Sequence, residues 1–255
     1  MNILVCYKIV PDEQDVSIRS DRTVDLSKAA LKIGQYDLNA VEAGVSLVEQ
    51  VGGICASLTA GGAETENAKM RKGILSRGPS ENFVVYAQEL HNADSSMTAR
   101  ALAGGVKRYG DCDLVLCGEG SSDQYAQQVG IQLGELLGLP TINAVSKITP
   151  AGDGKLLVER TLEKEIEHLE VPLPAVLSVT TDINLARVPS MRDIMGAGKK
   201  PTTVWPLSEV NGGVQATSET LSMLAPEDET RKCLILDGGS SEQLEEFVKY
   251  IKSEL

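Results

Sequence analysis

Apolar residues along this chain come in short runs that alternate with stretches of helical spacing. Asn2–Val10 reads as one apolar strand, and residues 11–35 as a long polar loop. From Tyr36 onward Leu38, Val41, Val45 and Val48 recur at helical intervals, and Gly52-Gly53 predicts the end of that helix. Ile54–Leu58 predicts a second strand, ending in Thr59-Ala-Gly-Gly62 and followed by a helix over 64–76. Phe83–Ala87 predicts a third strand and Ser95–Arg108 a helix. Leu114–Cys117 predicts a fourth strand with a helix behind it (Val129, Leu133, Leu136, Leu137), and Ile142–Val145 a fifth. Short apolar strands alternating with helices build a parallel sheet buried on both faces, with right-handed crossovers. Such sheets hold ligands beyond the carboxyl ends of their strands, where Cys6–Lys8, Thr59–Gly62 and Cys117–Val129 should lie.

The pattern then changes. Lys155–Leu162 and Ile166–Val171 alternate apolar and polar residues like a pair of antiparallel strands, and Pro174–Val179 is a further apolar strand. Residues 180–207 show little periodicity and carry Pro189, Pro201, Pro206, Gly196 and Gly198. The acidic, Ser/Thr-rich region 207–230 reads as an arm over a neighbouring surface, before a strand at Lys232–Asp237 and a helix at Ser241–Glu254. The expected division is an α/β domain over 1–206 and an arm with a strand–helix tail over 207–255.

A chain of 255 residues can bury a sizeable core, and 42% apolar with 24% charged content is ordinary for a globular protein. Two Phe and one Trp make that core aliphatic. The net charge of −12 argues against a nucleic-acid scaffold, which needs a basic field. No apolar run approaches the roughly 20 residues of a membrane span. The first residues enter a strand-like run with no basic leader, so the expected location is cytoplasmic. Five cysteines without C-x-x-C spacing and two histidines, His91 and His168, predict no metal centre. Any redox chemistry must therefore come from a borrowed cofactor.

Two stretches invite a functional reading. Cys117–Gly130, "CGEGSSDQYAQQVG", is either a plain β–α connection capped by Ser121, Ser122 and Asp123, or an anion cradle. Its length, Gly118 and Gly120, and two Gln residues on the following first turn favour the cradle, although Walker and G-x-G-x-x-G signatures are missing. Asp182–Lys200, "DINLARVPSMRDIMGAGKK", is either a helix with one buried face or an exposed apolar anchor ringed by Arg187, Arg192, Lys199 and Lys200. Glu163 and Glu165 fit a solvated hairpin edge better than an acid–base pair. No G-x-S-x-G is present, so an enzyme using its own nucleophile is disfavoured.

Several stretches together resemble the beta subunit of electron transfer flavoproteins, in particular its Fix-like bacterial branch. They are "CYKIVPDEQD" at 6–15, "IGQYDLNAVEA" at 33–43, "LSRGP" at 75–79, "GEGSSDQYAQQVG" at 118–130, "VERTLEKEIEHLEVPLPAVLS" at 158–178 and "VPSMRDIMGAGKKP" at 188–201. The resemblance implies a Rossmann-like domain of the adenine nucleotide alpha hydrolase type, which binds AMP or, in electron-bifurcating members, a second FAD. It also implies an alpha subunit that carries the electron-transferring FAD, and an acyl-CoA dehydrogenase-type partner. The implied nucleotide contacts are Cys6, then Gly34, Gln35, Tyr36 and Asp37, then Ala60. The last group runs from Gly118 through Glu119, Gly120, Ser121, Ser122, Asp123, Gln124, Tyr125, Ala126, Gln127 and Gln128 to Val129. The implied docking segment holds Arg187, Val188, Pro189, Met191, Arg192, Ile194, Met195, Lys199 and Lys200.

Four positions depart from the family pattern. Gly34 stands where Asn is frequent, Tyr125 where an acid is common, Lys164 where acid or glycine is usual, and Val188 where the anchoring leucine falls. The smaller Val188 buries about one methylene less, worth about 0.8 kcal/mol. Three functions are carried forward: an electron carrier's scaffold subunit, a bifurcating subunit whose own FAD oxidises NADH, and a free-standing nucleotide-binding stress-type protein. The last has no need of the 155–171 hairpin or the basic loop.

Overall fold

The computed structural model describes residues 1–210, 216, 218, 220–227, 235, 236 and 238–254. The chain opens with β1 (Asn2–Cys6), β2 (Ile9–Pro11), β3 (Ser17–Ile18), β4 (Val24–Asp25) and β5 (Leu31–Ile33), then α1 (Gln35–Val51). Next come β6 (Ile54–Gly61), α2 (Ala68–Leu75), β7 (Asn82–Tyr86), α3 (Ser95–Tyr109), β8 (Leu114–Gly118) and α4 (Val129–Leu137). A meander of β9 (Thr141–Gly152), β10 (Lys155–Thr161) and β11 (Ile166–Pro172) leads to β12 (Ala175–Val179), α5 (Met191–Ala197) and β13 (Thr202–Pro206). The short α6 (Leu207–Val210) and the terminal α7 (Ser241–Glu254) close the described chain.

Among the described residues, nine strands form one sheet in the order β11-β10-β9-β12-β8-β1-β6-β7-β13. The pairs from β9 to β13 are all parallel, and only the β9-β10-β11 meander is antiparallel. Alternation along the central strand feeds two cores. Ile3 and Val5 point towards α1 and α2, while Leu4 and Cys6 point towards α3 and α4. This burial on both faces is why the parallel strands read as unbroken apolar runs. Helices α2 and α3 start on polar caps: Asn67 accepts from Lys69 N and Met70 N, and Asp94 accepts from Met97 N.

Several sequence expectations need correction. Asn2–Val10 is two strands, because Lys8 N leaves the ladder to bond the Asp37 carboxylate and Ile9–Pro11 pairs with Leu31–Ile33 instead. The expected loop over 11–35 accordingly contains paired strands. Residues 64–76 divide into a 3₁₀ turn and α2, because Asn67 is extended there and caps the second piece. The fifth strand runs on to Gly152, since Ala144 (φ 55°) kinks β9 and hands it from β12 to β10. Within 180–207 lie α5 and an edge strand, β13, whose Trp205 stacks on Phe83 with ring centroids 4.7 Å apart. Most of the expected strand at Lys232–Asp237 falls outside the described residues. The described part of the 207–230 arm lies on this chain itself: Ser218 N donates to Asp94, and Ala225 N to Arg22 O.

Candidate functional site

The carboxyl ends of β1 and β8 lie side by side where the strand order reverses, with β6 and β7 on one flank and β8 on the other. Ligand crevices form at such reversals. A cavity of about 660 Å³ opens there, within the range of about 300–1,000 Å³ usual for small-molecule sites. Cys6, Tyr7 and Lys8 line it beside Ala60, Cys117 and Gly118. Its walls are the first turns of α3 and α4, the loop 119–128, and Ala216, Ser218, Thr220 and Met223 from the C-terminal segment.

Two helix N-termini converge on this space, and they differ. Asp94 caps α3 from its side chain, at 2.6 Å from Met97 N. The N-cap of α4, Gln128, makes no side-chain cap bond. Its amide oxygen instead accepts from Ser95 Oγ at 2.8 Å, tying the two helix starts together. The leading N–H groups of α4 thus lack a side-chain cap and point to where an anion is favoured. The preceding loop adds to them. Gln127 has a left-handed φ of 56° and Gln128 is right-handed, an alternation that turns successive N–H groups towards one concavity.

Asp37, on the first turn of α1, is buried at the base of the cavity. Its carboxylate accepts from Lys8 N at 2.8 Å and from the backbone N–H of Gly118. It therefore clamps the end of β1 to the end of β8. Burial pushes its pKa up from 3.8 to about 7, and the two N–H donors moderate that rise. A Cβ at Gly118 would lie 2.6 Å from Asp37 Oδ1 and 2.7 Å from Tyr36 Cβ, and one at Gly34 2.8 Å from Asp37 Oδ2. The glycine at 34 thus leaves Asp37 room to reach Lys8.

Lys8 Nζ pairs with Asp123 Oδ2 at 2.6 Å, fastening the loop to β1. Burial works against the charge on Asp123, but Lys8 and Ser121 outweigh it and hold the carboxyl below its usual range. Tyr125, left-handed at φ 44°, lays its ring on Gly120, where any Cβ would collide with it, and tilts against Tyr36 at 5.4 Å. The neighbouring Cys117 thiol and burial push the Cys6 thiol well above its ordinary value. Cys6 therefore offers space and backbone, not a thiolate.

Of the nucleotide contacts read from sequence, Cys6, Asp37, Ala60, Gly118, Glu119, Gly120, Ser121, Gln124, Ala126, Gln127, Gln128 and Val129 line the cavity. Tyr36, Asp123 and Tyr125 stand behind them as braces, and Ser122 is exposed. Gly34 is the N-cap of α1, and Gln35 turns to Asn39. Lys8 falls in the Cys6–Lys8 segment expected at the crevice, whereas sequence reading missed Asn92, Asp94, Ser95, Met97 and Thr98. The Asp94-Ser95-Ser96 cap at the carboxyl end of β7 was the available signal.

The segment 182–200 is a pinned loop followed by a short helix. Asn39 Nδ2 donates to Asn184 O at 2.7 Å, and Arg187 forks onto Glu42 (2.6 Å) and Glu49 (2.9 Å) of α1. Between and beyond these pegs Leu185 (93% exposed), Val188 (91%), Met191 (74%) and Met195 (73%) project into solvent. A capping box between Ser190 and Asp193 starts α5. The expected ring of free positive charge is corrected at two positions. Arg187 is neutralised by α1, and Lys200 Nζ is spent on Leu75 O and Pro79 O at the end of α2.

No group of metal-ligating side chains is present among the described residues, and none of their helices is long and apolar enough to cross a membrane. Residues 22–210, well over half of the chain, match the electron transfer flavoprotein domain. The protein belongs to the electron transfer flavoprotein family.

Proposed function

We propose that this chain is the beta subunit of a heterodimeric electron transfer flavoprotein, holding an adenine nucleotide as a structural ligand. The observation that carries the reading is the uncapped N-terminus of α4, set at the strand-order reversal behind a loop of alternating hand. Such a site meets a phosphate with amides and a helix dipole. Lys8 is the one cation among the described lining residues, and Asp123 shares its charge. Backbone N–H groups thus do most of the work of neutralising a phosphate. Ala60, Met97, Leu102 and Val129 supply apolar wall for a nucleoside. The residues fit AMP or the ADP half of FAD.

In this reading the FAD of the alpha subunit supplies the electron chemistry when bound. The chain described here binds, orients and presents. Leu244, Phe247, Val248 and Ile251 form an exposed stripe on α7 that packs against the alpha subunit. Val188, Met191 and Met195 dock an acyl-CoA dehydrogenase-type flavoenzyme.

Nucleotide extraction from the purified heterodimer tests the proposal. One FAD with one AMP supports the carrier reading. Two FAD and no AMP assigns an electron-bifurcating subunit that oxidises NADH instead. An assembly free of adenine nucleotide in this subunit refutes both, and a stable flavin-free monomer points to the stress-type class. Val188→Arg should slow dehydrogenase-coupled flavin reduction with the heterodimer intact; unchanged turnover removes the docking assignment.

A further inference from the structure

We infer that the docking face extends from residues 182–200 onto α2, and that it fits a dehydrogenase surface whose apolar cleft is rimmed by carboxylates. The inference rests on the docking reading of that segment and adds a partner chemistry to it. Helix α5 packs on α2 through Ala197, its one buried residue. Lys200 Nζ locks the two together on the carbonyls of Leu75 (2.8 Å) and Pro79 (2.6 Å). Lys72 lies alongside, its Cε 3.9 Å from where a Cβ on Gly198 would sit.

The charge on this pair of helices is one-sided. Helix α2 carries no acid, and the single acid of α5, Asp193, is turned into the capping box with Ser190. Glu64, just before α2, is occupied by Gly62 N and His91, which leaves Glu66 as the exposed acid nearby. Lys69, Lys72, Arg192 and Lys199 are all exposed, and none forms an ion pair among the described residues. In a chain of net charge −12 this concentration runs against the whole molecule. Left unpaired beside exposed Met191 and Met195, the cations match an apolar core with a charged rim, in which the rim sets approach rate and the core sets residence.

The test measures association of the intact heterodimer with an acyl-CoA dehydrogenase across a salt series. Lys69→Glu with Lys72→Glu should lower the association rate constant about tenfold at low salt. The loss should vanish near 1 M salt, where the Debye length is about 3 Å. Both lysines lie outside the cavity, so nucleotide content should stay unchanged. If the charge reversal impairs assembly, Lys69→Gln with Lys72→Gln should give a smaller effect of the same sign and salt dependence. Faster dissociation of Val188→Arg, with association unaltered in the lysine variants, overturns the extension alone. Association insensitive to both sets overturns the docking reading together with it. If the lysine variants instead lose binding to anionic phospholipid vesicles and keep dehydrogenase association, the patch faces a membrane and the inference falls.

Discussion

Replacing Asp37 by Asn removes a buried charge without changing side-chain shape. In the native protein burial raises this carboxyl from 3.8 to about 7. Each tenfold change in proton affinity is worth about 1.4 kcal/mol, so the charged form costs about 4 kcal/mol once fully ionised. The sign follows from proton counting. Between the unfolded and folded values the native state holds a proton that the unfolded chain has released. This group's contribution is therefore most favourable below pH 4, is lost as pH rises towards 7, and is flat above. Asn does not titrate. It also places an NH₂ against either Lys8 N or Gly118 N, at a pH-independent cost of about 1–3 kcal/mol. The stability difference between the variant and the parent should accordingly move in favour of Asn by about 2.5 kcal/mol between pH 5 and 8. Urea unfolding followed through Trp205, the single tryptophan of the chain, measures it. A difference that stays constant across that range refutes the assignment of a proton-holding Asp37.

Gly118→Ala drives a methyl into Asp37 and Tyr36 and should cost about 1–3 kcal/mol, with loss of copurifying nucleotide; unchanged melting temperature and nucleotide content would contradict the close approach. Lys8→Met removes a partly exposed ion pair (43% and 23% side-chain exposure), so stability should fall by less than about 1 kcal/mol. Nucleotide release, followed by chase with labelled ligand, should nevertheless accelerate because the loop loses its tie to β1. Arg187→Ala frees the loop from Glu42 and Glu49; hydrogen exchange across 182–190 should rise while the cavity residues keep their protection. Equal protection in the variant would show that the pegs do not hold the loop.

The parallel strands were legible because each is buried on both faces and reads as an apolar run. Strand β13 was not, since Pro201 and Pro206 bracket it and only Trp205 is buried, which resembles a loop; an edge strand tolerates such prolines. The loop over 119–128 announced itself by its length and its glycines. The contribution of α3 stayed hidden because Asp94-Ser95-Ser96 looks like any helix cap until the fold brings it across to Gln128. The excess of positive charge assigned to 182–200 arose from the same blindness to distance. Arg187 meets its partners 145 and 138 residues away in sequence, and no local pattern reports them.

Helix α1 is one stiff rod with work at both ends. Its first turn grips the strand ends through Asp37, and Asn39, Glu42 and Glu49 further along peg the loop that carries Leu185 and Val188. From Asp37 to Glu49 a helix spans about 18 Å. Any tilt that a ligand imposes at the cavity base must therefore reach the protruding side chains, because no joint intervenes to absorb it. If a ligand occupies the cavity, its presence and the posture of the exposed loop would then be linked quantities, each a lever on the other.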